Sequence, residues 1–448
     1  MSSIKSRDPY FIQIGFDFGT CYSKCVCRDV FKDNAWVHIP SGQKSSELPF
    51  LIPSGLKFER GILSRITDQK HQYVQNGLAR LKVAIERAAS GDWNAEVLQP
   101  FRQALQIEDN DSLADFLKIC GIFYLGAVIG DVRQQIKRRF SDFGANSLDF
   151  LAINLAVPVA DAERPRVSEI YESILHRAWI LADRLAGKER IALTDLVKMI
   201  SDASVDEQVC EACVIYPEVS ANVQGFVRSR VSQPGIYLFS DTGAGTVDQS
   251  VFIFHRPNGT ERLTYLHGSV SPLGSSYIEF TAAKLAGRLD FDELECWRRR
   301  KERGGSYPEL RAAREQIEDQ LAQDSSNTIA NAKAKLISPQ QINDLKLIFG
   351  GGGHSEHPYK NAVVRPFHGP YFRRGFDPDS VGVPAPSDLD LAPANRRWMP
   401  RLTVAYGLSF DKTQLASFIY PRGVEPPKPD ELWRPRHTAA HAPDKDET

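Results

Sequence analysis

The sequence predicts an α/β fold of two similarly built lobes that face each other across a cleft. Three observations carry that expectation. Strand-like stretches alternate with long helical ones along 448 residues. A strand–turn–strand unit with Asp-x-Gly at its turn occurs twice, as "FDFGTCYSKCVC" and, about 220 residues later, as "SDTGAGTVDQSV". In the second half a core strand runs into four consecutive glycines, "LIFGGGGHSEHPYK".

Residues 11–39 read as strands. In the first of them Ile12, Ile14, Phe16 and Phe18 share one parity, and Gln13, Gly15, Asp17 and Gly19 share the other. The apolar parity packs, and Asp17 stands on a face that two glycines leave bare. Residues 40–70 are mixed, with turn signals at "IPSG". From about 73 to 140 the spacing is helical, with Asp111 and Ser112 as caps of the last helix. "DFLAINLAV" reads as a buried strand, 161–186 as a long helix, "VCEACVIYPE" as a strand and "VSANVQGFVRS" as a short helix. A second β-rich block opens at "PGIYLFSDTGAGTVD", with a hairpin turn at Pro-Asn-Gly 257–259. Helices follow from about 275 to 336, broken by a loop at "ERGGSYP"; then come the glycine run, an irregular connection over 366–400, and a short helix at "RLTVAYGLSF". The Pro-rich, charged tail from about 421 reads as disordered at its end.

Apolar residues make up 42% and charged residues 25%, with a net charge of −1, so no bulk electrostatic argument favours nucleic acid or an anionic membrane. No apolar run approaches membrane-spanning length and the first residues carry no leader pattern, so the expected home is the cytoplasm. Seven cysteines in so long a chain make no disulfide scaffold. The single C-x-x-C, Cys210 and Cys213, lacks the second pair a zinc site needs.

The chemistry sits at the two turns and the glycine run. A carboxylate beside glycine-rich turn amides suits a phosphate that carries a metal; a plain hairpin with an Asx-type turn is the structural alternative. Two such turns across a cleft, with Asp17 opposite Asp241, would hold Mg²⁺ largely through waters. Four glycines after a core strand favour close approach of a flat ligand, and no Walker or Rossmann pattern fits them.

The order of these motifs resembles the nucleotide-binding domain of Hsp70-type proteins, within the actin, Hsp70 and sugar-kinase superfamily. "GFDFGTCYS" is similar to its first phosphate loop, "LAVPVADAERPRV" to its first connecting segment and "IYPEVSANVQGF" to the stretch holding its glutamate–proline pair, here Pro217-Glu218. "SDTGAGTVD" resembles the second phosphate loop, "IFGGGGHSEHPYK" the adenosine loop and "RLTVAYGLS" the second connecting helix. The resemblance runs from about residue 11 to 411. It implies duplicated RNase H-like domains with the nucleotide between them. Lobe I would span 11–234, with a variable helical part over 40–145. Lobe II would span 235–398, with a reduced helical part at about 288–336, and residues 399–420 would return to lobe I.

By the same resemblance Asp17 and Asp241 position Mg²⁺, and Gly19, Thr20, Cys21 and Tyr22 wrap the β- and γ-phosphates. Gly243, Ala244, Gly245 and Thr246 cradle the γ-phosphate, Asp248 and Glu218 orient the attacking water, and Lys82 is the candidate phosphate-contacting lysine. Gly350, Gly351, Gly352, Gly353 and His354 lie along the adenosine, and Arg311 and Arg314 close over the base. The implied function is an Hsp70-like, weak Mg²⁺-dependent ATPase that switches conformation between ATP and ADP for partner proteins. Cys21 stands where the family has a second threonine, and Ala244 where it has glycine. Nothing after residue 411 matches a peptide-binding domain, which argues against peptide cycling. Alternatives within the superfamily are an ATP-dependent filament former, which would self-associate, and a small-molecule kinase. The basic runs "QQIKRRF" and "WRRRKER" read as solvated helix faces, and His357 as a helix cap rather than a metal ligand.

Overall fold

The computed structural model describes residues 7–43, 47–69, 73–157, 165–229, 232–369, 375–415, 417–419 and 421–425. Most of the segment similar to the first connecting segment (158–164) and most of the tail (426–448) lie outside them. The described strands are, in chain order, β1 (Phe11–Asp17), β2 (Tyr22–Asp29), β3 (Asn34–Val37), β4 (Ile52–Pro53), β5 (Leu56–Glu59), β6 (Ile62–Arg65), β7 (Gly77–Leu78), β8 (Phe150–Val157), β9 (Arg190–Ala192), β10 (Cys213–Pro217), β11 (Gly235–Thr242), β12 (Val247–His255), β13 (Arg262–Ser271), β14 (Lys346–Gly350), β15 (Leu389–Asp390) and β16 (Ser417–Ile419).

The fold is mixed α/β, with three sheets among the described residues. The first runs β10-β8-β1-β2-β3-β15, with β4 on β2; the second runs β14-β11-β12-β13-β16; a small one runs β7-β5-β6-β9. The two larger sheets share a plan. In each, an antiparallel hairpin (β1–β2, β11–β12) continues into a third antiparallel strand (β3, β13), and its first strand takes a parallel neighbour (β8, β14). The repeated Asp-x-Gly units are these two hairpins, in the same register: Asp17 pairs with Lys24, and Asp241 pairs with Asp248.

β1 is buried on both faces. Ile12, Ile14 and Phe16 join a large apolar cluster with the helices Asn110–Arg139 and Pro165–Leu185. The other face is not bare, as expected from its glycines, but covered by the helix Met399–Leu408. A β-carbon on Gly15 would lie 2.1 Å from the Ala405 carbonyl oxygen, so that glycine serves helix–sheet contact. The same helix meets the short helix Glu218–Asn222, where a β-carbon on Gly407 would lie 1.8 Å from the Ala221 carbonyl oxygen. Val219, Val223, Phe226 and Val227 pack with Tyr237, Phe239 and Phe252 of the second sheet, although they precede the expected boundary at 234.

Several expectations are corrected. Residues 207–212 of "EQVCEACVIYPE" are a helix capped by the Asp206 side chain, which accepts from the Val209 amide at 2.9 Å; the strand starts only at Cys213. Residues 77–78 pair in the small sheet, so the helical stretch starts at Leu81. The 366–400 connection is more ordered than its composition implies: β15 pairs with β3, and Leu347 bridges Ser380. The helix Asn110–Arg139 is long and apolar enough to cross a membrane, contrary to the sequence-based expectation. However, 78% of its most apolar window is buried in the protein, so core packing accounts for its apolarity.

Candidate functional site

The turns after β1 and β11 bring the two large sheets together. Gly245 lies against Thr20: a β-carbon there would come within 2.7 Å of both the Thr20 hydroxyl oxygen and its methyl group. The second turn is held from behind, because Gly243 N–H donates to the Thr246 carbonyl at 2.9 Å. Ser275 N–H donates to the Gly243 carbonyl at 3.0 Å, and Ser276 N–H and Oγ–H both donate to Ala244 O, at 2.8 and 2.6 Å.

Around this junction lies a cavity of about 300 Å³. Asp17, Gly19, Thr20, Cys21, Tyr22 and Lys82 border it from one side. Asp241, Gly243, Ala244, Thr246, Asp248 and Gly351 to Gly353 border it from the other, and Glu218 borders it too. Gly245 and Gly350 lie behind the lining, under Thr20 and Phe239 respectively. His354 is half-buried and turned onto its own loop, its Nδ1 2.6 Å from the Gly351 carbonyl oxygen. Arg311 and Arg314 do not border the cavity: Arg311 is exposed and Arg314 half-buried on the helix Pro308–Lys333. His357, expected to cap a helix, is exposed 3.6 Å from Glu318.

The glycine run mostly accommodates the protein itself. A β-carbon on Gly351, where φ is +77°, would lie 2.2 Å from Asp241 Oδ1, and one on Gly353 would lie 2.7 Å from the Thr242 methyl. Only Gly352 faces a yielding neighbour, the Arg401 side chain, 3.1 Å from its β-carbon position. The run lets β14 and its loop pass close beneath the end of β11, which fixes Asp241.

The charges form a dense, mostly buried set. Lys82 Nζ donates to Glu218 Oε2 at 2.8 Å, and Lys24 pairs with Asp17. Asn222 Nδ2 donates to Asp241 Oδ2 at 2.5 Å, and Thr246 Oγ1–H to Asp248 Oδ2 at 2.8 Å. Burial pushes the Asp241 carboxyl up to about 7, helped by repulsion from Glu218 and Asp17 and opposed by Lys24 and Lys82. Burial likewise raises Asp17 and Asp248. The Lys82 ammonium is held above its usual range: Glu218, Glu86 and Asp248 outweigh the opposing effect of burial. Asp248 Oδ1 and Asn222 Oδ1 are buried acceptors with no donor among the described residues.

Sequence reasoning missed Lys24, Asn222, Glu279, Arg298, Lys301, Glu356 and Arg401. Lys24 was legible, since the β1–β2 register places it opposite Asp17. Lys301 donates to Glu279 Oε2 at 2.6 Å and to the Ser275 carbonyl at 2.7 Å, and borders the cavity from the helix Phe291–Glu302. The expected arginines lie on the next helix instead. Nothing in the spacing of "WRRRKER" distinguishes a cleft-facing base from a solvated one.

These residues fit a phosphate chain that carries a cation. The orphaned acceptors call for donors, which a hydrated ion supplies, and the desolvated carboxylates call for positive charge. Among the described residues no group of three or more Asp, Glu, His or Cys is arranged to grip a metal directly. A scan against protein-family models finds no match, and a search of curated proteins finds none.

Proposed function

We propose that this chain is an ATP-binding protein of the two-lobed, actin-like kind, most similar in motif order to the Hsp70-type nucleotide-binding domain. In this reading it is a weak Mg²⁺-dependent ATPase whose nucleotide state sets the shape that partner proteins read. The observation that carries it is the meeting of the two equivalent hairpin turns at Thr20 and Gly245, which gathers Asp17, Asp241, Asp248, Glu218 and Lys82 around one cavity. The shared strand plan of the two large sheets supports the duplicated architecture.

Asp17 and Asp241 would hold hydrated Mg²⁺ through waters, as that ion dehydrates reluctantly. When bound, the ion neutralises charge on the phosphates. The chain's own groups do the rest. The turn amides around Gly19–Tyr22 and Gly243–Thr246 form nests for phosphate oxygens. Lys82, fixed by Glu218, presents a second ammonium beside that of Lys24. Asp248 keeps one oxygen free of Thr246 and accepts a proton from an attacking water.

Calorimetric titration tests the reading. Mg·ATP is expected to bind saturably, and Asp241→Ala to weaken Mg·ATP at least tenfold more than it weakens adenosine. No binding of either ligand overturns the reading; equal losses overturn the metal-positioning role.

A further inference from the structure

The two turn hairpins match in register but not in charge. Opposite Asp17 the first hairpin places Lys24; opposite Asp241 the second places Asp248. All four residues border the nucleotide cavity. The Lys24 ammonium is paired with Asp17, and the two side chains are only 17% and 4% exposed. Asp241 and Asp248 have no such partner. Among the described residues Asp241 accepts from the neutral Asn222 amide and Asp248 from the Thr246 hydroxyl, and neither makes an ion pair. The neighbouring Lys82 is taken by Glu218. Of the three aspartates at the cavity, Asp17 alone therefore carries a counter-ion of its own.

Lys24 also stands at the first turn: its Nζ lies 3.8 Å from where a β-carbon on Gly19 would sit. On its flexible four-carbon stem the ammonium can reach a phosphate cradled by that turn. A divalent ion and an ammonium repel each other strongly when they share one poorly hydrated carboxylate. We infer that Lys24 is a resident counter-ion that competes with the divalent cation for Asp17, so that the metal loads with the phosphate chain and not ahead of it. In the nucleotide-free cleft Lys24 holds Asp17. A phosphate chain offers the ammonium a second anionic partner; Lys24 moves onto it and frees Asp17 for the hydrated ion. This exchange rests on the nucleotide reading above, whereas the competition involves only Lys24, Asp17 and a cation.

Mn²⁺ serves as the probe, because electron paramagnetic resonance counts its free ion directly. Titrated into the nucleotide-free full chain, Mn²⁺ is expected to bind Lys24→Gln at least tenfold more tightly than the wild type. Lys24→Met is expected to show the same gain, so either neutral variant decides should the other fail to fold. Lys24→Arg, which keeps the charge, is expected to show none. Adding Asp17→Asn to the neutral variant is expected to abolish the gain. Equal Mn²⁺ affinity in the wild type and the neutral variants overturns the inference, as does a gain that survives Asp17→Asn. With saturating ADP the gap between wild type and Lys24→Gln is expected to narrow below threefold; an undiminished gap overturns the exchange onto phosphate. Calorimetry with ADP separates the two failures. No ADP binding to the wild type overturns the nucleotide reading, while the titration without nucleotide still decides whether Lys24 guards Asp17.

Discussion

Gly245 and Thr20 touch across the junction of the two large sheets, with no room for a β-carbon between them. Gly245→Ala is therefore expected to destabilise the protein by about 1–3 kcal/mol, the usual cost of overpacking. Thr20→Gly in the same chain removes the opposing side chain and is expected to recover most of that loss. Denaturant unfolding of the single and double variants checks it. Additive losses would mean that the two turns do not meet.

Lys82 and Glu218 are a nearly buried pair, with side chains 7% and 12% exposed and 2.8 Å apart. Removing one partner strands the other charge, so Lys82→Met is expected to cost about 3–5 kcal/mol. Lys82→Met with Glu218→Gln is expected to cost less, since neither member of the pair is then left charged without the other. Unfolding midpoints of these two variants and of Glu218→Gln alone measure the coupling. Under the proposed function the double variant still folds but loses affinity for the triphosphate relative to adenosine.

Neighbouring glycines are expected to answer substitution differently. Gly351 has a positive φ, and a β-carbon there would strike Asp241 Oδ1; Gly352→Ala meets only the movable Arg401 side chain. Gly351→Ala should therefore cost on the order of 2 kcal/mol or more and displace Asp241, while Gly352→Ala should stay within about 0.5 kcal/mol. Thermal unfolding ranks the two variants, and equal effects would contradict the packing described.

Much of this was legible in the sequence, because alternation and repetition are local signals. The two hairpins, the buried strand "DFLAINLAV" and the helix over "RLTVAYGL" follow from parity and spacing alone. The repeat also places Asp17 and Asp241 at equivalent positions. What escaped depends on which faces meet. Gly15 looked like room for a ligand, yet it admits a helix nearly 400 residues further along the chain. Val209 and Cys210 read as strand because the pattern ran on into β10, while the capping Asp206 set a short helix first. Lys301 was hidden among five basic residues, and only the fold shows that it turns inward to Glu279.

His38 gives a pH signature whose sign is fixed by burial. Loss of water around the ring lowers its pKa to about 4, opposed only in part by the hydrogen bond to Gln135 and by Asp131. In the unfolded chain the imidazole titrates near 6.5. Between those values the unfolded state binds the proton and the folded state does not, so stability is complete above about 6.5 and falls as pH drops towards 4. The expected loss by pH 4 is on the order of 2–3 kcal/mol, on top of what other groups contribute. His38→Gln has no such proton to take up. The wild type is therefore expected to lose more stability than the variant between pH 7 and pH 4, in parallel denaturant titrations at each pH. Identical slopes for the two proteins would show that the ring is hydrated and ordinary, and would place the end of β3 in contact with water.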